Sequence, residues 1–287
     1  MNSPFSYFGG KARMVPHIVS LFPSRMDAYI EAYFGSGAVF FAAPNRWANI
    51  EICNDLNGDV VNFFEVLRDR RHKLEQALKL TLHSRGEYIR AWEKLENKKR
   101  MTSIERARCF FVRVEQSFSN MQKISSWKLP GIGTNDDRAA RWKKITNSNK
   151  LNRISERLSD ASFENISALD LIKIYDTPGV LFYFDPPYIV NDQKKMSDIN
   201  KAYRGFGQNE DHHKKLVEKL LTLRGMAIVS GYDHAVYIPL VKAGWQKINI
   251  KTKTQVANNS STRDKSRIET LWVNPALQAA NRQKLLF

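Results

Sequence analysis

The run Val180-Leu181-Phe182-Tyr183-Phe184 limits the possible fold more than any other stretch of this chain. Five consecutive apolar side chains cannot alternate between core and solvent. A strand built from them must be covered on both faces, as in a parallel sheet flanked by helices. Shorter runs of the same kind lie at Ala28-Tyr29-Ile30-Glu31-Ala32, Ile50-Glu51-Ile52-Cys53 and Met226-Ala227-Ile228-Val229-Ser230. The first two are separated by a glycine turn and a helix opening expected over Gly37 to Ala43, which makes a βαβ unit. The expectation is therefore an α/β protein.

Helical periodicity occupies the stretch between. Lys11 to Leu21 predicts a short amphipathic helix, and four consecutive helices are expected at Val60–Leu67, Leu74–Leu82, Tyr88–Leu95 and Ile104–Phe118. The α/β rhythm resumes with a helix face at Leu151, Ile154 and Leu158, a short strand at Ser162–Glu164, a helix over Glu210–Leu223 and a closing antiparallel pair at Trp245–Ile250 and Ile268–Val273. Residues 1–58 and 161–287 then form one core, interrupted by a helical insertion at 59–160.

Charge is uneven between these parts. The chain of 287 residues carries 45 Lys+Arg against 29 Asp+Glu, a formal net charge of +16, which points to a polyanionic partner and first to nucleic acid. The insertion alone holds 23 basic and 13 acidic residues, or +10 of the +16. Its segment Ser119–Lys150 sets Lys123, Lys128, Arg141, Lys143 and Lys144 among Trp127 and Trp142, a mixture suited to phosphate contacts with stacking or wedging, or to a charged helical surface. No apolar stretch approaches membrane-spanning length and no signal-peptide pattern opens the sequence, so a cytoplasmic protein is expected. Cys53 and Cys109 lack metal-ligand spacing, and His212-His213 has no partner at ligand spacing; neither a zinc site nor any other metal is expected.

The apolar run ends in Asp185-Pro186-Pro187-Tyr188, placing a carboxylate, a proline carbonyl and an aromatic ring at a strand's carboxyl end, where open α/β sheets carry their chemistry. Carboxylate and carbonyl accept both hydrogens of an exocyclic amino group while the ring stacks on a planar base. A strand ending in a Pro-Pro turn with an acidic cap is the plain alternative. Upstream, Glu31 through Gly37 brings Phe34, Gly35 and Gly37 to the end of the first strand, where backbone N–H groups can approach a ligand. It lacks the third glycine of a dinucleotide fingerprint. Asp55 ends the second strand, either as an acceptor for ribose hydroxyls or as a cap for the helix beyond it. Asp170 either accepts from an adenine amino group or complements a helix dipole.

Taken in order, Tyr7-Phe8-Gly9-Gly10-Lys11, Glu31 through Gly37, Asp55 and Asp185 through Tyr188 resemble the Dam-type, D12-class family of adenine-N6 DNA methyltransferases. Gly231-Tyr232-Asp233 and Glu269 through Pro275 are similar to its phage and prophage branch. The resemblance implies a Rossmann-like S-adenosylmethionine-dependent methyltransferase sheet whose helical insertion reads double-stranded DNA. It implies that Tyr7 and Lys11 contact the cofactor, that Phe34, Gly35 and Gly37 shape its methionine pocket, and that Asp55 and Asp170 hold its ribose and adenine. Asp185, Pro186 and Tyr188 then capture a flipped adenine, with Asp185 close to the methyl donor. The long segment Ile189–Gln208, with Lys194 and Arg204, either closes over the base and its phosphates or is a solvated loop. The insertion does not show the residues expected of a GATC reader, so no target sequence carries over. RNA and protein-glutamine methyltransferases share the Asp-Pro-Pro-Tyr type of motif, and a catalytically silent DNA-binding or anti-restriction factor is the non-enzymatic alternative.

Overall fold

The computed structural model describes residues 3–5, 11–43, 45–97, 100–118, 124–129, 137–147, 149–189, 210–253 and 266–284. In chain order the elements are α1 (Val15–Val19), β1 (Ala28–Glu31), β2 (Ile50–Asn54), α2 (Gly58–Asp69), α3 (Arg71–Lys79), α4 (Arg85–Glu96), α5 (Ser103–Glu115), α6 (Arg138–Asn147) and α7 (Lys150–Leu158). They continue with β3 (Ser162–Glu164), α8 (Ala168–Tyr175), β4 (Val180–Phe184), α9 (Glu210–Leu221), β5 (Met226–Gly231), α10 (Ile238–Lys242), β6 (Gln246–Lys253), β7 (Ser266–Val273) and α11 (Pro275–Lys284).

The strands form one seven-stranded sheet in the order β3-β2-β1-β4-β5-β7-β6. Strands β1 to β5 pair in parallel, with Ile30 opposite Ile52 on one side and Phe182 on the other, while β7 runs antiparallel to both neighbours. Strand order reverses between β1 and β4, so the crevice at their carboxyl ends is the topological switch point of this Rossmann-like sheet. Alternate side chains of the same strands enter two separate cores. Tyr29, Leu181 and Tyr183 join the face covered by α1, α2, α5, α7 and α11. Ile30, Phe182 and Phe184 join the face covered by α8, α9 and α10. That double coverage is what the unbroken apolar run of β4 required.

The helical segment shares the first of these cores. Phe64 on α2 stacks on Phe163 of β3 at 5.9 Å, Phe63 stacks on Phe111 of α5 at 5.6 Å, and Phe111 meets Trp142 of α6 at 5.8 Å. A buried pair fastens α7 to β2: Arg157 donates to both Glu51 carboxylate oxygens at 2.6 Å and lies over Phe40 at 3.8 Å.

The helices expected to reach Leu82 and Leu223 end at Lys79 and Leu221, and three expectations differ further from the structure. The helix at Gly37–Ala43 reduces to one 3-10 turn, Phe40–Ala42. Phe40 and Phe41 are pulled into the core, and Ala43 is extended, as a residue before proline prefers. The first helix shrinks to five residues because Pro16 can occupy only its opening turn. The helix expected to reach Phe118 stops at Glu115, and Ser117 bridges Trp127 across a short antiparallel contact. Among the described residues no helix is long and apolar enough to cross a membrane.

Candidate active site

Asp185 leaves β4 at the switch point, and two side chains from elsewhere in the chain converge on it. Ser230, buried on neighbouring β5, donates to its Oδ1 at 2.7 Å, and the Lys11 ammonium pairs with the same oxygen at 3.0 Å. Among the described residues no donor reaches Oδ2 or the Pro186 carbonyl, so two successive residues each keep an open acceptor. The Ser230 hydroxyl is itself placed by the Tyr183 hydroxyl, 3.0 Å away inside the sheet. Lys11 is only 5% exposed and also sits over the Tyr188 ring, 4.3 Å from its centroid.

Tyr188 is held from two further sides. Its hydroxyl donates to Glu269 Oε2 of β7 at 3.1 Å, and Tyr232, following β5, meets it edge-on at 4.7 Å. Burial and the Asp185 and Glu269 charges push its phenol well above the ordinary range, so it stays neutral. The carbonyl of Pro187 accepts from His213 Nε2 at 3.0 Å. Since Pro186 and Pro187 have no amide hydrogen, side chains arriving from β5, β7, α9 and the N-terminal segment must hold this turn.

The end of β1 supplies the other wall. Gly35 and Gly37 both adopt positive φ, 51° and 66°. A Cβ on Gly37 would also lie 2.6 Å from the Phe34 ring and 2.7 Å from that of Phe41, so the turn closes only with glycine there. Asp55 accepts from the Gly35 amide on Oδ2 and the Asn57 amide on Oδ1, each at 2.8 Å. Burial lifts its pKa to about 6 even though both hydrogen bonds favour the ionised form. Thus Asp55 does cap the chain beyond β2, and it also ties that cap to the glycine turn. Asn54 joins the ends of β1, β2 and β3 by donating to the carbonyls of Ala32 and Ile166 and accepting from the Ile166 amide. Glu31, buried beneath the turn, accepts from the Tyr29 hydroxyl and the Phe40 amide, and burial pushes its carboxyl up to about 8.

Asp170 lies differently from the other acidic residues. Its amide donates to the Ser167 hydroxyl, its carboxylate accepts from that hydroxyl at 2.6 Å and from Lys173 at 2.7 Å, and it is exposed. Those bonds are local to the start of α8, where Ser167 is the N-cap. Beside Asp55 at the end of β3 stands Asn165, whose side chain donates to the Asp55 carbonyl.

Of the basic residues expected to meet nucleic acid, Arg141, Lys143 and Lys144 are exposed on α6. Arg141 and Lys128 line a cleft of about 480 Å³ with Lys150, Glu115 and the N-terminal Ser3, Pro4 and Phe5. Trp127 packs between His83, 5.3 Å away, and the Arg85 guanidinium at 5.0 Å, whereas Trp142 is a core residue whose indole donates to the Thr81 carbonyl. Tyr7, Lys123, Lys194 and Arg204 lie outside the described residues. Sequence reasoning missed Ser230, Asn54, Asn165 and His213. Only the paired histidines carried a signal, which the sequence lets one weigh as metal ligands and set aside; the partners of these four residues come from elements far apart in sequence.

The profile of the D12 class N6 adenine-specific DNA methyltransferase family matches residues 7–258. The chain is 26% identical over 274 residues to the type II methyltransferase M1.LlaDCHI of Lactococcus lactis subsp. cremoris, covering 90% of this chain and 91% of that protein. It is 24% identical over 218 residues to the type II methyltransferase M.FokI of Planomicrobium okeanokoites, covering 72% of this chain and 31% of the relative.

Proposed function

The chain belongs to the D12 class of N6 adenine-specific DNA methyltransferases, and from that premise we propose that its switch-point crevice binds S-adenosylmethionine beside an adenine turned out of double-stranded DNA. The carrying observation is the open acceptor pair, Asp185 Oδ2 with the Pro186 carbonyl, next to a carboxylate oxygen already fixed by Ser230 and Lys11.

The residues at the end of β1 and β2 fit the cofactor. Each Asp55 oxygen accepts one backbone N–H and retains a lone pair, which suits a vicinal pair of ribose hydroxyls. The positive-φ turn at Gly35 and Gly37 would offer backbone groups to the methionine end of the cofactor, with the buried Phe34 ring packed beneath the turn. When bound, S-adenosylmethionine supplies an electrophilic methyl on its sulfonium. Asp170 remains a candidate for the cofactor's adenine through the start of α8, with Tyr7 and Lys11 for its other end.

Adenine's exocyclic nitrogen is a poor nucleophile because its lone pair is delocalised into the ring. Asp185 Oδ2 and the Pro186 carbonyl would accept its two hydrogens, drawing the lone pair out of conjugation and aiming it across the crevice. These bonds strengthen as positive charge develops on the nitrogen, which is where they accelerate transfer. Tyr188, neutral and held by Glu269 and Tyr232, offers its ring for stacking on the extruded base. Lys11 neutralises the Asp185 charge until the base arrives. The 59–160 segment, with Trp127, Lys128, Arg141, Lys143 and Lys144, is proposed to contact the duplex, joined by Lys123, Lys194 and Arg204.

The test is transfer of labelled methyl from S-adenosylmethionine to unmodified genomic DNA, with single-molecule mapping of the modified positions. N6-methyladenine is the expected product and Asp185→Ala is expected to give none. Detection of 5-methylcytosine instead, or a fully active Asp185→Ala, refutes the mechanism.

A further inference from the structure

We propose that His213 is a positioning residue for methyl transfer, fixing the peptide unit between Pro187 and Tyr188 so that the base-capturing turn is preformed. The proposal rests on the reading of that turn as the adenine site. His213 is fully buried in the first turn of α9. Its Nε2 lies 3.0 Å from the Pro187 carbonyl and its Nδ1 lies 2.7 Å from the Tyr237 hydroxyl. A carbonyl only accepts, so Nε2 carries the hydrogen, and in the neutral ring Nδ1 accepts from Tyr237. The Tyr237 phenol is pushed well up by burial and by the Asp185 charge, which keeps that hydroxyl protonated and able to donate. The preceding residue does related work on the opposite wall: His212 Nε2 is 2.8 Å from the hydroxyl of Tyr33, just beyond β1.

A satisfied core histidine would look the same except for what it holds. Here the acceptor is the carbonyl of the second proline in a turn whose two central residues have no amide hydrogens of their own. Rotation of the Pro187–Tyr188 peptide swings the Tyr188 Cα, and with it the ring that faces the base. Lys11, Glu269 and Tyr232 engage the ring and hydroxyl of Tyr188, whereas His213 engages the backbone that carries it.

The experiment is single-turnover methyl transfer on unmodified DNA for the wild type, His213→Leu, His213→Gln and Tyr237→Phe, with cofactor and DNA affinities measured separately. His213→Leu removes the donor at similar bulk and is expected to slow transfer by about 10- to 100-fold, the scale of a small misplacement of reacting groups, with both affinities unchanged. His213→Gln returns an N–H near the position of Nε2 and is expected to recover most of the rate. Tyr237→Phe is expected to lose less, and nitrogen-15 NMR of the wild type to show the Nε2–H tautomer. A wild-type rate in His213→Leu, or a folded His213→Gln as slow as His213→Leu, overturns the proposal. If His213→Leu does not fold, a wild-type Nδ1–H tautomer signal overturns it instead. The wild type is the reference arm: absence of transfer there overturns the adenine-site reading and this proposal with it. An active wild type beside an unimpaired His213→Leu overturns this proposal alone.

Discussion

Replacing Asp55 by Asn should make cofactor binding both weaker and insensitive to pH. The carboxylate now accepts two backbone amides, from Gly35 and Asn57, each at 2.8 Å. Asparagine can accept only one of them and turns an NH2 group toward the other. A charge-assisted hydrogen bond to the ligand is lost as well, worth roughly 1.5–3 kcal/mol, which is roughly a 10- to 150-fold rise in Kd. The pH dependence follows from burial, which lifts the Asp55 pKa from 3.8 to about 6. If ribose hydroxyls need the ionised form, about ten in eleven molecules are competent near pH 7 and about one in eleven near pH 5, a tenfold loss of affinity. Stability runs the other way. A carboxyl whose folded pKa is raised contributes stability that is complete below its unfolded pKa and is lost as pH rises through the folded one. Ionising Asp55 in the unliganded protein therefore costs up to about 3 kcal/mol between pH 4 and 7, at 1.36 kcal/mol per unit. Glu31, raised to about 8, adds a cost of the same sign over a higher window that Asp55→Asn leaves in place. Calorimetric titration with S-adenosylmethionine at several pH values, paired with urea unfolding of the unliganded protein, measures both. A wild-type Kd that is flat between pH 5 and 7, or an Asn variant with the wild-type slope, refutes the reasoning.

Tyr188→Phe should retain most activity, because stacking survives the loss of the bond to Glu269, whereas Tyr188→Ala should lose more, yet less than Asp185→Ala; steady-state transfer rates rank the three. Neutralising exposed Lys143 and Lys144 together should weaken DNA binding on all sequences alike and reduce the salt slope by roughly one to two units, near 0.9 per lost phosphate contact. Affinity titrations at several salt concentrations decide this, and an unchanged slope moves the DNA path away from α6. Arg157→Met should destabilise the fold by about 3–5 kcal/mol, because it leaves the Glu51 carboxylate buried without its bidentate partner. Urea unfolding reads that loss, and a change below about 1 kcal/mol, the value of an exposed pair, contradicts the burial argument.

Local pattern made much of this protein readable in advance. The unbroken apolar run of β4 demanded cover on both faces, and the alternation of its side chains between two cores supplies it. Asp185 through Tyr188 at its end, the glycines after β1 and Asp55 after β2 were legible because each is a short segment whose chemistry depends on its own neighbours. The sequence also placed α2 to α5 and the face of α7, with ends shifted by a few residues, but not α6. What it did not determine was the company those segments keep. Gly37 to Ala43 reads as a helix opening until Phe40 and Phe41 are drawn into a core made by α2 and β3. Asp170 carries the same carboxyl as Asp55, but its bonds stay within the start of α8. Ser230 reaches Asp185 across 45 residues of chain, and His213 reaches Pro187 across 26. Such contacts exist only after the sheet has set β5 beside β4 and α9 has packed on its face. Strand order and helix packing are long-range choices, and a pattern of period two or 3.6 carries no information about them.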